Sequence, residues 1–168
     1  MADWPDQIFA ALKQAGVTQV GYVPDAGHAR LIELCRADPA IRDVVLSTEE
    51  EGVALAAGAW LGGARAALLM QSSGVGNCIN MLTLAKNCGF PLPMLVTMRG
   101  EWQEFNDWQV PMGQATEPVL RLSDVAVYRA DSPNEVPGAV AAALDRAFAE
   151  ERATAVLLGQ RLIGAKKF

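Results

Sequence analysis

The chain is 168 residues long, 51% hydrophobic and 20% charged, which excludes intrinsic disorder and fits one domain able to bury a sizeable core. Its formal net charge of −5 excludes nucleic-acid backbones and anionic membranes as main partners, because both call for a basic stripe. Cys35, Cys78 and Cys88 lack the spacing of a disulfide framework or a zinc site, the N-terminus has no signal-peptide pattern, and no apolar run approaches the roughly 18 residues of a membrane span, so a soluble cytoplasmic protein with reduced thiols is expected.

The segment "DWPDQIFAALKQAG" reads as a helix: Asp3 caps it, Pro5 suits its first turn and Gly16 stops it. The short apolar run "TQVGYV" (18–23) reads as a strand, "AGHARLIELCRAD" as a helix and "IRDVVLS" (41–47) as a strand. An Ala- and Gly-rich helix follows from about Glu49 to Leu61, then the strand "RAALLMQ" (65–71). "GVGNCINMLTLAKNC" reads as a helix and "LPMLVTM" (92–98) as a strand, whereas "RGEWQEFNDWQVPMGQ" (99–114) is too polar and too broken for either. "ATEPVLRLSD" has room for a short helix, "VAVYRA" (125–130) is a strand and "PNEVPGAVAAALDRAFAEE" a long helix. The strand "TAVLLG" (154–159) precedes a basic tail holding Lys166 and Lys167. Strands alternating with helices predict one α/β domain over 1–168, a three-layer, doubly wound, six-stranded parallel sheet of flavodoxin-like type. Ligands on such sheets bind outside the carboxyl ends of the strands, which directs attention to the loops beginning at Pro24, Ser47, Gln71 and Arg99.

Each loop holds candidates. After the first strand, Asp25 and the single histidine, His28, are either a helix cap and a solvated first-turn residue, or an acid and an imidazole facing the crevice to move protons. After the second, Ser47 with Glu50, or Thr48 with Glu51, forms a capping box, and acids suit the first turn of a helix. That explains one or two of the consecutive glutamates Glu49, Glu50 and Glu51, not all three. The Gly52, Ala56, Ala59 face then suggests close approach of another backbone. In "QSSGVGNCINML", Gly74 and Gly76 form a glycine-rich turn before a helix, but Ile79 stands where a dinucleotide fingerprint needs a third glycine. In the long fourth loop Trp102, Phe105 and Trp108 call for burial, and Arg99 is the preferred anion anchor; the other reading, compatible with it, is an interface loop with Arg99 in an ordinary ion pair. The substrate-facing set is taken as Arg99, Gln71 and Gln109.

The runs "TEEEGVALAAGAWLGG", "QSSGVGNCINML" and "PLPMLVTMRGEWQEFNDWQVPMGQ" resemble the pyrimidine-binding domain of thiamine-diphosphate-dependent 2-oxoacid decarboxylases. The likeness extends over nearly the whole chain and is greatest to the alpha subunits of the sulfopyruvate and phosphonopyruvate decarboxylase family. The family's glutamate lies nine residues before the glycine ending "AAG", which from Gly58 is Glu49. The resemblance implies that the Glu49 carboxyl hydrogen-bonds N1′ of the cofactor's aminopyrimidine and favours its imino tautomer, with Glu50 and Glu51 left to capping and contacts. It gives Asp25 and His28 proton-transfer roles near the substrate, although "GYVPDAGH" departs from the family's usual sequence there. Ser73, Gly74, Gly76 and Asn77 join Glu49 as cofactor contacts.

These enzymes hold Mg²⁺ and the diphosphate through a Gly-Asp-Gly motif and an Asn on a second domain, and this chain has no Asp-Gly pair. The resemblance therefore implies a separate beta subunit carrying that domain and the metal ligands, with no metal site here. The expected assembly is a hetero-oligomer, alpha2beta2 or larger, acting on a small anionic 2-oxoacid such as 3-sulfopyruvate or 3-phosphonopyruvate to give the aldehyde and CO2. An acetolactate-synthase-like carboligase subunit, a non-catalytic partner of the same fold and a flavodoxin-like nucleotide module are the competing readings.

Overall fold

A computed structural model describes residues 3–164, which leaves the tail lysines Lys166 and Lys167 outside the described residues. The order is α1 (Trp4–Gln14), β1 (Val17–Tyr22), a 3-10 turn (Ala26–His28), α2 (Ala29–Ala37), β2 (Arg42–Val45), α3 (Glu49–Leu61), β3 (Arg65–Gln71), α4 (Ser72–Cys88) and β4 (Leu92–Thr97). Then come α5 (Gln109–Leu122), β5 (Ala126–Ala130), α6 (Val136–Glu150), β6 (Ala153–Leu158) and the short α7 (Gln160–Ile163). The first helix starts and stops as its residues dictate. Asp3 accepts from the Trp4 N–H at 2.8 Å, Pro5 lies in the first turn, and Gly16 takes φ +73°.

All pairings between the strands are parallel, in the order β2-β1-β3-β4-β6-β5. The central strands β3, β4 and β6 are buried along almost their whole length, as a sheet covered on both faces requires. One core packs α3, α4 and α5 on one face, and a second packs α1, α2 and α6 on the other. The predicted three-layer doubly wound sheet is therefore the observed one. The chain's direction across the sheet reverses between β1 and β3, so the loops leaving β1, β3 and β4 converge on one crevice.

Three expectations are corrected. The helix after β3 begins at Ser72, so Ser73, Gly74 and Gly76 lie in its first turns and form no separate glycine-rich loop. The segment 99–114 is not irregular throughout, because α5 starts at Gln109 and runs through Pro118. The Gly52, Ala56, Ala59 face turns inward: all three are buried, and a Cβ on Gly52 would lie 2.3 Å from Leu68 Cδ1. Small residues there let α3 settle on its own sheet. Among the described residues, no helix is long and apolar enough to cross a membrane.

Candidate active site at the carboxyl edge of the sheet

Glu49 opens α3 and is only 8% exposed. Its neighbours Glu50 and Glu51 are spent at the helix start. The Thr48 hydroxyl donates to Glu50 at 2.6 Å, and Glu51 accepts from the Ser47 N–H at 2.8 Å. Neither expected capping box forms, since the Thr48 side chain does not cap and Glu51 reaches the N–H of Ser47, one residue before the N-cap. Glu49 instead reaches across to α4, where Asn77 Nδ2 donates to its Oε2 at 2.8 Å. The carboxyl lies flat on the first turn of α4: a Cβ on Gly74 would fall 2.6 Å from Glu49 Cγ, Cδ and Oε1. Gly74 is there because nothing larger fits. The carboxyl lies where the N-termini of α3 and α4 meet. Burial pushes the nearby Cys78 thiol up to about 12, with Glu49 and Glu50 adding to it, so the thiol stays neutral.

Asp25 ties the crevice together. It accepts from the Gly27 N–H at 3.1 Å, capping the 3-10 turn, from the Thr97 hydroxyl at 2.7 Å, and from Gln71 Nε2. The carboxyl ends of β1, β3 and β4 are joined at one side chain. Ser73 is half-buried and donates to the other end of the Gln71 amide at 3.4 Å. Gly76 makes room for Met112 of α5, whose Sδ would lie 3.2 Å from a Cβ there.

His28 fits neither expectation. It is 1% exposed, so it is not a solvated first-turn residue, and its ring points into the core rather than to the crevice mouth. Nε2 lies 3.1 Å from Leu95 O, while Nδ1 is buried without a partner. Burial holds the imidazole below its ordinary pKa, against the opposing pull of Asp25, and therefore neutral at pH 7.

Arg99 is paired inside the chain. Its guanidinium meets the Glu104 carboxylate with Nε and Nη2 together, Nε at 2.7 Å, and both side chains are less than a tenth exposed. Glu104 also accepts from the N–H groups of Gly100 and Asn106, both at 3.1 Å, and from Gln160 Nε2 at 2.9 Å. The Arg99 guanidinium above all, then these donors, hold the Glu104 carboxyl down at about 2 against its burial. The ion-pair reading of Arg99 is what the geometry shows, and its fork is closed to any anion that does not displace Glu104. Asp25, Thr97, Arg99 and Gln160 line a cleft of about 140 Å³.

Gln109 begins α5, 4% exposed, with Oε1 buried and unpartnered. The aromatic residues of the loop are not buried as expected, since Trp108 is 67% and Phe105 45% exposed. The glycines of "MRG" and "PMG" interlock. A Cβ on Gly113 would lie 2.0 Å from Arg99 O, and one on Gly100 2.5 Å from Gln109 O. Sequence reasoning missed Glu104, Thr97 and Gln160, which are ordinary polar residues until the fold brings them together. No cluster of three or more His, Cys, Asp or Glu side chains able to hold a metal occurs among the described residues.

A buried carboxylate laid against a glycine in the first turn of a helix suits a flat heteroaromatic ring such as that of a thiamine cofactor. Residues 3–116 match the family described as thiamine pyrophosphate enzyme, N-terminal TPP binding domain. Sulfopyruvate decarboxylase subunit alpha of Methanothermobacter thermautotrophicus is 38% identical over 157 residues, covering 93% of this chain and 95% of the relative. Its namesake in Methanococcus maripaludis is 32% identical, covering 91% and 92%. Phosphonopyruvate decarboxylase of Streptomyces viridochromogenes is 38% identical over 120 residues, 70% of this chain but 30% of that protein. Among solved structures, the 2-oxoglutarate:ferredoxin oxidoreductase of Magnetococcus marinus superposes with a TM-score of 0.74 at 12% identity, covering 96% of this chain and 29% of that one, a likeness of fold. On this evidence the chain belongs to the thiamine pyrophosphate enzymes, through their N-terminal TPP-binding domain.

Proposed function

We propose that this chain is the alpha subunit of a thiamine-diphosphate-dependent decarboxylase that converts 3-sulfopyruvate or 3-phosphonopyruvate to the aldehyde and CO2. The observation that carries the reading is Glu49, a nearly buried carboxylate held on Gly74 and bonded by the neutral amide of Asn77. When bound, thiamine diphosphate supplies the carbon nucleophile and the electron sink for loss of CO2. The chain's part is to hold N1′ of the aminopyrimidine on the Glu49 carboxyl and to shape the crevice that excludes water. Asp25 is the acid placed on the substrate side, in the cleft it shares with Arg99. His28, enclosed in the core, is assigned no proton transfer. Because Arg99 is committed to Glu104, and Gln71 to Asp25, these residues and Gln109 build the wall of the crevice, and the substrate's sulfonate or phosphonate is assigned to groups on the partner.

That partner is a beta subunit with the diphosphate-binding domain and the Mg²⁺ ligands. Support comes from the subunit names of relatives that this chain spans almost completely, and from longer relatives without a subunit name, of which it spans only 30%. With Cys35, Cys78 and Cys88 free, the reading sets the hetero-oligomer in the reducing cytoplasm. The test is co-expression with the partner and assay of CO2 and aldehyde from each 2-oxoacid. The complex is expected to turn over one of them, and Glu49→Gln to lower kcat by about 10²-fold or more. Full turnover by the Glu49→Gln complex, or products of carboligation with an added aldehyde in place of the simple aldehyde, overturns the reading.

A further inference from the structure

We propose that Asn77 is a positioning residue, one that aims Glu49 by holding one carboxylate oxygen and leaving the other for the ligand; the inference rests on the cofactor role just assigned to Glu49. A glutamate side chain turns about three bonds, and a carboxylate offers two equivalent oxygens, so burial alone does not decide which oxygen faces a ligand. Here the choice is made twice. Gly74 lets the carboxyl lie on the backbone of α4, with Cγ, Cδ and Oε1 all so near that no Cβ fits between them. Asn77, one turn further along α4, then takes Oε2 at 2.8 Å across 28 residues of sequence. Oε1 makes no hydrogen bond to any described residue and is the oxygen left to share a proton with a ring nitrogen.

An amide suits this task. Its N–H donates to the carboxylate without adding a charge that would compete with Glu49 for the ligand's proton. A lysine at this position would neutralise the carboxylate, and an aspartate would repel it. Asn77 is itself exposed, so it needs no protein partner for its own sake, and water would serve it equally well. The Glu49 contact is therefore the reason for its side-chain position.

A chemical double-mutant cycle isolates the effect. Thiamine diphosphate, and an analogue with C–H in place of ring N1′, are titrated calorimetrically with Mg²⁺ into the complex of this chain and its partner subunit, carrying native Asn77, Asn77→Ala or the isosteric Asn77→Asp. The expected result is that both variants weaken the natural cofactor about tenfold, ~1.4 kcal/mol, while the analogue's affinity stays within about twofold. A merely structural asparagine would weaken both ligands by one factor, and that outcome, or no change for either, overturns the inference. Glu49→Gln in the same cycle separates the two claims. If it discriminates the ligands and Asn77→Ala does not, only the positioning role falls. If neither discriminates, the assignment of Glu49 to the cofactor falls as well.

Discussion

Because a carbonyl only accepts, His28 Nε2 carries the proton in its bond to Leu95 O, and Nδ1 is left as a buried acceptor with nothing to accept. Protonating that nitrogen would put a charge in the core, which is why burial holds the folded pKa below 6.5. The consequence for stability has a definite sign. As pH falls below 6.5 the unfolded chain takes up a proton that the folded chain refuses, so stability declines, whereas above 6.5 both states are neutral and the contribution is flat. His28 is the only histidine, so the effect is separable. His28→Gln, which keeps a donor for Leu95 O, is expected to cost about 1 kcal/mol at pH 7.5 and to remove up to ~1.4 kcal/mol per pH unit of the decline between pH 6.5 and 5. Urea unfolding of both forms across that range checks it, and parallel pH slopes would refute it. At this scale the sequence was a partial guide. The count of three glutamates against one or two capping needs showed that one was spare, because capping is a local matter, while the resemblance alone pointed to Glu49 as that one. Where His28 points depends on β4, which lies 67 residues further along the chain and left no trace beside the histidine.

Among the helices, the sequence located α1, α3 and α6 to within a few residues, since caps and apolar periodicity are local. It caught only the second half of α5, as the short helix of "ATEPVLRLSD", for an equally physical reason. Pro111, Gly113 and Pro118 are each poor interior helix residues, and their propensities argue against the 14-residue helix that holds them. Tertiary contact overrides them. Gly113 is required because α5 presses on the backbone of Arg99 and Gly100, and Gly100 answers with φ +76° where any side chain would be strained. Gly58 of α3 is the opposite case, in regular helix with open space where a Cβ would go. Gly113→Ala is therefore expected to lose about 2–3 kcal/mol through displaced backbone, and Gly58→Ala to gain about 0.5–1 kcal/mol in the free chain. Thermal unfolding of the two variants should move the midpoint in opposite directions. Similar losses for both would mean that the glycines of "MRG" and "PMG" are not the interlock.

Across the molecule, the loop after β4 ties together the ends of the neighbouring strands β4, β6 and β5, and Glu104 is its centre. Its carboxylate gathers Arg99 at the end of β4, two backbone N–H groups of the loop, and Gln160 of α7 beyond β6. Glu101, two bonds to Arg129 at 2.9 Å each, fastens the same loop to β5. Such a site is built for a charge: with the folded pKa near 2 against about 4.5 unfolded, Glu104 contributes stability that is complete above pH 4.5 and is lost as pH falls toward 2. Glu104→Gln keeps the shape, leaves the Arg99 guanidinium buried without its counter-charge and should cost about 3–5 kcal/mol at pH 7. The variant should also lose less on acidification than the native chain, since the proton it no longer binds on unfolding cannot drive the equilibrium. Urea unfolding at pH 7, 4.5 and 3.5 measures both effects together. Their joint appearance would identify Arg99 as the keystone of this loop. If Glu104→Gln instead leaves stability unchanged and tightens binding of 3-sulfopyruvate to the complex with the partner subunit, Arg99 is the anion receptor that its place at the strand end suggested, and Glu104 is the group the substrate displaces.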